Sequence, residues 1–154
     1  MPAVYRLGLD ERLLRIAELH LGEPCFYMGI SAKRERVSPR QAGTRQWHMD
    51  IEDDRMLRFL IYLSDMDEAA GPFNYVPSAC QRTATGGFGT LLACDGTPIF
   101  HRAGWPTGRE RLSLSMTYSS RHPRQIMRPV RLRWPSRNRL LETLTERIPP
   151  ARWA

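Results

Sequence analysis

The chain has 154 residues, 42% of them hydrophobic and 9% aromatic, with a formal charge of +7. That length suits one globular domain with a substantial core, and the composition excludes a disordered chain. Its apolar runs fall short of the roughly 18 residues a spanning helix needs, the opening MPAVYRLGLDER lacks the build of a secretory signal, and three cysteines without a CxxC spacing suggest neither a disulfide framework nor a thiolate zinc site; a cytoplasmic protein with reduced thiols, away from membranes, is expected.

In chain order, Asp10 is placed to cap a helix over 11–21, with Leu13, Ile16, Ala17 and His20 on one stripe and Gly22 as the stop. His20 then reads as a histidine at the edge of the core, not a ligand. Phe26–Ile30 is a short strand candidate, and Ser31–Arg45 is polar and loop-like. Met56–Leu63 (MLRFLIYL) is the strongest strand in the chain, closed by the turn residues from Asp65 to Gly71. Phe73–Val76, Gly89–Ala93, Pro98–Phe100 and Leu112–Tyr118 follow as strands at short spacing, with Gly, Pro or Asp between them. One amphipathic helix followed by many short strands argues for a β sandwich or barrel, not for parallel βαβ units. A second helix is expected over 136–148, capped by Ser136, with Leu140, Leu141, Leu144 and Ile148 on its apolar side.

The charge is unevenly spread. Residues 1–120 carry fourteen basic and fourteen acidic side chains, whereas residues 121–154 carry nine arginines against Glu142 and Glu146. A basic tail suits an anionic or nucleic-acid partner. No stacking motif accompanies it, so a solvated arginine-rich surface is the plainer reading and nucleic acid is not the expected partner.

The stretch Gln46-Trp47-His48-Met49-Asp50 carries the chemistry. With four histidines and seven aspartates, chance alone gives about 0.2 His-x-Asp pairs per chain, so the pair by itself says little. On a strand, however, residues two apart share a face, and His48 and Asp50 can grip one ion. His101, at the end of Asp95-Gly-Thr-Pro-Ile-Phe-His101, is placed to supply a third ligand. Two imidazoles and a carboxylate on one side of an ion form the facial set of non-haem Fe(II) oxygenases, with open positions for cosubstrate and O₂. The usual electron source is 2-oxoglutarate, whose far carboxylate calls for a forked cation. Arg111 opens the strand that ends at Tyr118, with Arg111, Ser113 and Ser115 on one face and Leu112, Leu114 and Met116 on the other. An arginine beside a hydroxyl inside a barrel is a carboxylate clamp. Taken singly, each residue also reads as ordinary surface or turn chemistry; order and spacing together point to a site.

These residues resemble the phytanoyl-CoA dioxygenase-like family of Fe(II)- and 2-oxoglutarate-dependent oxygenases. Trp47-His48-Met49-Asp50 is similar to the family's Trp-His-x-Asp. Ile61–Ser78 (IYLSDMDEAAGPFNYVPS) is similar to its strand–turn–strand block, and Gly89–Gly104 to the strand pair that delivers the second histidine. The likeness runs from Trp47 to about Ser120. It implies a mainly β fold, a double-stranded β-helix (a cupin-like jelly roll) with flanking helices, the barrel core lying at about 26–134 of a single domain over 1–154. It implies His48, Asp50 and His101 as iron ligands, Arg111 as the anchor of 2-oxoglutarate and Ser113 as its helper. A small molecule would be hydroxylated or otherwise oxidised, with release of succinate and CO₂; the carboxylate at position 50 fits hydroxylation better than halogenation. Trp47, Tyr62 and Trp105 are candidates for the pocket wall, with ordinary core packing at least as good a reading of each, and Ser31 and Lys33 are weaker candidates for cosubstrate contact. Two other readings stand beside this one: a cupin-like metal-binding barrel without oxygenase activity, and an anion- or nucleic-acid-binding protein using its basic tail. A homo-oligomer that covers a sheet edge by pairing is also open.

Overall fold

The computed structural model describes residues 2–39, 43–78 and 80–124. The expected helix over 136–148, the arginine-rich tail and residues 125–134 of the expected core lie outside them. In chain order the elements are helices α1 (Pro2–Leu7) and α2 (Glu11–Leu21), then strands β1 (Phe26–Glu35), β2 (Met56–Tyr62), β3 (Phe73–Val76), β4 (Arg82–Ala84), β5 (Leu91–Cys94), β6 (Phe100–Ala103) and β7 (Arg111–Ser119), with short 3₁₀ turns at Gly43–Arg45 and Glu68–Ala70.

Alternation along β2 and β7 decides the architecture. Leu57 and Phe59 of β2 and Met116 and Tyr118 of β7 point to one side, where they bury together with Ala17 of α2. Tyr62 points to the other side, packing with Met66, Ala70, Leu60 and Leu92. The sheet therefore has an outer apolar face under α2 and an inner face that meets a second sheet. The first sheet has the order β1-β7-β2-β5 and the second β4-β3-β6, and every pairing is antiparallel. His48 extends the second sheet through a bridge to His101 of β6. Counting that bridge, each sheet has four strand positions, and the fold is the expected double-stranded β-helix, a jelly roll.

Helix α2 starts as predicted. Asp10 accepts a hydrogen bond from the Arg12 backbone amide at 3.0 Å, and Gly22 caps the far end. Its buried stripe is rotated from the expected one. Ile16 is 45% exposed, and Leu13, Leu14, Ala17 and Leu21 face the sheet instead. Ala17 is fully buried in one cluster with Phe59 and Tyr118, where a small side chain lets a helix lie close to a sheet.

Strand β1 differs most from expectation. It continues through Ser31–Glu35, which the sequence suggested as loop, and pairs there with Arg111–Ser115. The reason is its position: β1 is an edge strand whose second half meets water outside and a polar cavity inside, so no apolar alternation marks it. Strand β4, three polar or small residues, and helix α1 were likewise not anticipated. Strands β5 and β6 begin two residues later than predicted, at Leu91 and Phe100.

Two measurements check this packing. Phe59 is 1% exposed between α2 and the sheet, so Phe59→Ala should lose about 3–5 kcal/mol in urea unfolding with little change in the slope. Asp53, 7% exposed, accepts from the amides of Ser120 and Asp54 at 2.8 Å each. Burial pushes its carboxyl up, but the hydrogen bonds from Ser120 and Asp54 and the charge of Arg124 outweigh this and hold it below the ordinary aspartate value. That stabilisation is complete above the unfolded-chain value and disappears as pH falls through the lower folded value. Asp53→Asn should therefore flatten the acid limb of a stability-versus-pH curve.

Candidate metal centre

The bridge between His48 and His101 is reciprocal: each amide donates to the other's carbonyl, at 3.0 and 2.9 Å. This fixes the two residues side by side on adjacent strands, and their rings lie 4.4 Å apart, centroid to centroid. Asp50, two residues on, returns its side chain to the same face, and its amide donates to the Gly96 carbonyl at 2.9 Å. The three expected ligands are thus brought together, with one ligand atom from each lying within 4.8 Å of the others. Asp50 Oδ1 is 3.6 Å from His101 Nε2 and 4.0 Å from His48 Nε2.

These donors fit a divalent metal ion. Neighbouring ligands on an ion at about 2.1 Å stand roughly 3 Å apart, so the three donors need to draw together by about one to two ångströms at most to complete the set. The tautomers are also suitable. His48 Nδ1 lies 2.8 Å from the Gln46 carbonyl, and His101 Nδ1 lies 3.2 Å from that of Ile99. A carbonyl only accepts, so each Nδ1 carries hydrogen and each Nε2 is left to face the centre. Gly96 closes the cradle: a Cβ there would overlap Asp50 Oδ2 and come within 2.6 Å of His101 Cε1.

Arg58, on the inner face of β2, completes the surroundings. Its NH2 lies 3.2 Å from Asp50 Oδ2, leaving Oδ1 for a ligand role, and 4.0 Å from Glu52 Oε1. Burial pushes the Asp50 carboxyl up, but the His101 hydrogen bond and the charges of Arg58, His101 and His48 more than reverse this, so the net shift is downward. The site holds Asp50 as a carboxylate. Sequence reasoning missed Arg58, although one arginine in the alternating, otherwise apolar MLRFLIYL was a usable signal.

The site opens into a cavity of about 70 Å³ between the sheets. Its walls include Lys33, Glu35, Arg58, Tyr62, Arg111 and Ser113. Tyr62 stands there as expected, its hydroxyl donating to the Ala84 carbonyl at 2.6 Å. Arg111 and Ser113, both 5% exposed, share the inner face of β7 as the alternation predicted. Lys33 stands opposite Ser113 on β1. Ser31 is not part of the wall. Trp47 and Trp105 do not wall the cavity either; the Arg102 guanidinium lies over both rings, 4.6 and 5.0 Å from their centroids, tying together the residues beside His48 and His101. Arg111 is not open, since its guanidinium pairs with Glu35 and with the Gly71 carbonyl. His20 is no part of the centre; its Nε2 contacts Asp95 Oδ2 at 2.8 Å and pins the loop that carries Gly96. Among the described residues no helix is long and apolar enough to cross a membrane.

No protein-family model and no curated sequence matches the chain. Solved structures do. HygX from Streptomyces hygroscopicus, with nickel and 2-oxoglutarate bound, matches with a TM-score of 0.58 at 17% identity over 77% of this chain and 69% of that one. The epimerase SnoN, in complex with Fe3+, alpha ketoglutarate and nogalamycin RO, matches with a TM-score of 0.61 at 18% identity over 73% and 57%. An oxidoreductase of the 2OG-Fe(II) oxygenase family from Burkholderia pseudomallei matches with a TM-score of 0.59 at 22% identity over 77% and 55%. The chain therefore shares their jelly-roll fold while spanning little more than half the length of two of them.

The cradle at Gly96 gives a direct check of the centre. Gly96→Ala should leave a folded protein whose affinity for Mn(II) or Co(II), measured by calorimetry, falls roughly tenfold to a hundredfold, the usual loss when the surroundings of metal ligands are disturbed.

Proposed function

We propose that the chain is a non-haem Fe(II)- and 2-oxoglutarate-dependent dioxygenase of the phytanoyl-CoA dioxygenase-like type, hydroxylating or otherwise oxidising a small-molecule substrate. The observation that carries this reading is the convergence of His48, Asp50 and His101 at one mouth of a jelly roll. In this reading those three side chains hold the iron, and Arg111 with Ser113 receives the far carboxylate of 2-oxoglutarate. Bound iron, 2-oxoglutarate and O₂ supply a two-electron oxidation of the substrate, with succinate and CO₂ as co-products.

The chain's own residues prepare the site. The carbonyls of Gln46 and Ile99 hold the imidazoles in the tautomer that presents Nε2. Arg58 engages one oxygen of Asp50 and keeps the other oriented toward the histidines. Leu60, Met66 and Phe73 make the apolar part of the wall and limit water around the ligands. The fold supports the same reading, because structures with this architecture include HygX with nickel and 2-oxoglutarate bound. A second reading, a metal-binding barrel that takes no dicarboxylate, is favoured by one observation: the Arg111 fork already holds a carboxylate, that of Glu35.

Turnover of 2-oxoglutarate tests the proposal without knowledge of the substrate. Protein supplied with Fe(II), ascorbate and O₂ should convert 2-oxoglutarate slowly to succinate. His48→Ala and Asp50→Ala should abolish this. Arg111→Ala should raise the 2-oxoglutarate requirement roughly tenfold to a hundredfold, the loss expected for a charge-assisted contact. A folded, metal-loaded protein that makes no succinate would favour the second reading.

A further inference from the structure

Arg111 and Glu35 face each other directly in the β1–β7 register. Glu35 Oε2 accepts from Arg111 Nε and NH2, and the remaining NH1 donates to the Gly71 carbonyl. Gly71 is held where it stands by close approach: it has φ 72°, and a Cβ there would come within 2.7 Å of Pro106 N. Every nitrogen of the guanidinium is therefore engaged, and the edge formed by Nε and NH2 is turned to a carboxylate. That edge is the part of arginine which receives carboxylates side-on. Both side chains line the cavity that also holds His48 and His101. Their side chains are largely sheltered, 7% and 17% exposed, so the pair is not a solvated surface contact of negligible weight.

We propose that Glu35 is an internal stand-in for the far carboxylate of the cosubstrate. Binding of a dicarboxylic 2-oxo acid is then an exchange of carboxylates at Arg111, and Glu35 sets the affinity for that acid. This rests on the cosubstrate reading given above. The exchange is feasible because the displaced side chain is not stranded. Glu35 Oε1 is already 3.6 Å from Arg45 Nε, and Lys33 lies two residues away on the same face of β1, on the same cavity wall. A buried carboxylate left without a cation would be costly, whereas one passed between cations loses little. The occupied fork lowers the fraction of protein ready to bind. If Glu35 holds Arg111 nine-tenths or more of the time, the apparent dissociation constant for the diacid rises about tenfold or more. A 2-oxo acid without a far carboxylate does not use the fork and escapes this effect.

The test uses the full chain loaded with Co(II), titrated calorimetrically with 2-oxoglutarate and with 2-oxopentanoate, which has the same keto acid head and no second carboxylate. Glu35→Gln should tighten 2-oxoglutarate about tenfold or more and leave 2-oxopentanoate unchanged. 2-Oxoglutarate should also raise the thermal midpoint of Glu35→Gln more than that of the wild type. If loss of the charge opposite Arg111 prevents folding, Glu35→Asp, which keeps the charge but shortens its reach, should tighten the diacid in the same direction. Equal or weaker binding of 2-oxoglutarate by the variants, or equal tightening of both acids, overturns the proposal. If neither acid binds any metal-loaded form, the cosubstrate reading itself falls and takes this one with it.

Discussion

The two backbone hydrogen bonds between His48 and His101 set the geometry on which the site depends. Directly opposed residues on adjacent strands have side chains about 4.5–5.5 Å apart, a spacing that suits two ligands of one ion. Once the bridge is made, Asp50 needs only the strand period to reach the same face, and the Gly96 carbonyl fixes its backbone. The ligand set therefore comes from main-chain pairing more than from the positioning of long, mobile side chains. The contacts around it act on the same point. The Trp47–Arg102–Trp105 stack joins the residues next to each histidine, and the His20–Asp95 contact ties helix α2 to the Gly96 loop.

The first sheet separates stability from chemistry by side-chain direction. Its outer face, with Leu57, Phe59, Met116 and Tyr118, is sealed by α2 and provides a core independent of the cavity. Its inner face is free to be polar, and Arg58, Arg111, Ser113 and Ser115 stand there. Charge in such a place is tolerated only when compensated. The compensation is local at both ends: Asp50 for Arg58, and Glu35 for Arg111. Each of these two carboxylates also touches a second basic group, a histidine at one end and Arg45 at the other.

What the sequence made legible follows the same division. β2 is a nearly unbroken apolar run and β7 alternates strongly between apolar and polar residues, so both were found nearly residue for residue, and with β7 the inward set of Arg111 and Ser113. The convergence of His48 and Asp50 was legible because residues two apart on an extended chain share a face. The second half of β1 was not, because Ser31–Glu35 meets water on one side and a polar cavity on the other, and hydrophobic periodicity has nothing to report there. Missing that strand concealed the pairing of Glu35 with Arg111, which only the register reveals. The two tryptophans, candidates for the cavity wall, stand away from it for a related reason. Position beside a ligand says that a side chain is near the site, but the strand period sends Trp47 to the face opposite His48.

The position of Glu35 also has a mechanical consequence. β1 is an edge strand held by β7 alone in its sheet. Its first half is secured from outside, where Tyr27 and Ile30, with Cys25 just before the strand, pack against the core beneath α2. Its second half lacks that packing and is held by the ladder to β7, by the exposed pair between Arg34 and Glu110 and by the sheltered pair between Glu35 and Arg111. The contact that occupies the arginine is thus also a side-chain tie on the cavity side of that edge. Strand segments with few buried apolar contacts open most readily. Release of Glu35 would therefore loosen the wall nearest Arg111 while the bridge between the histidines, on the other sheet, is untouched. The Arg111 half of the cavity can adjust without disturbing the half that carries His48 and His101.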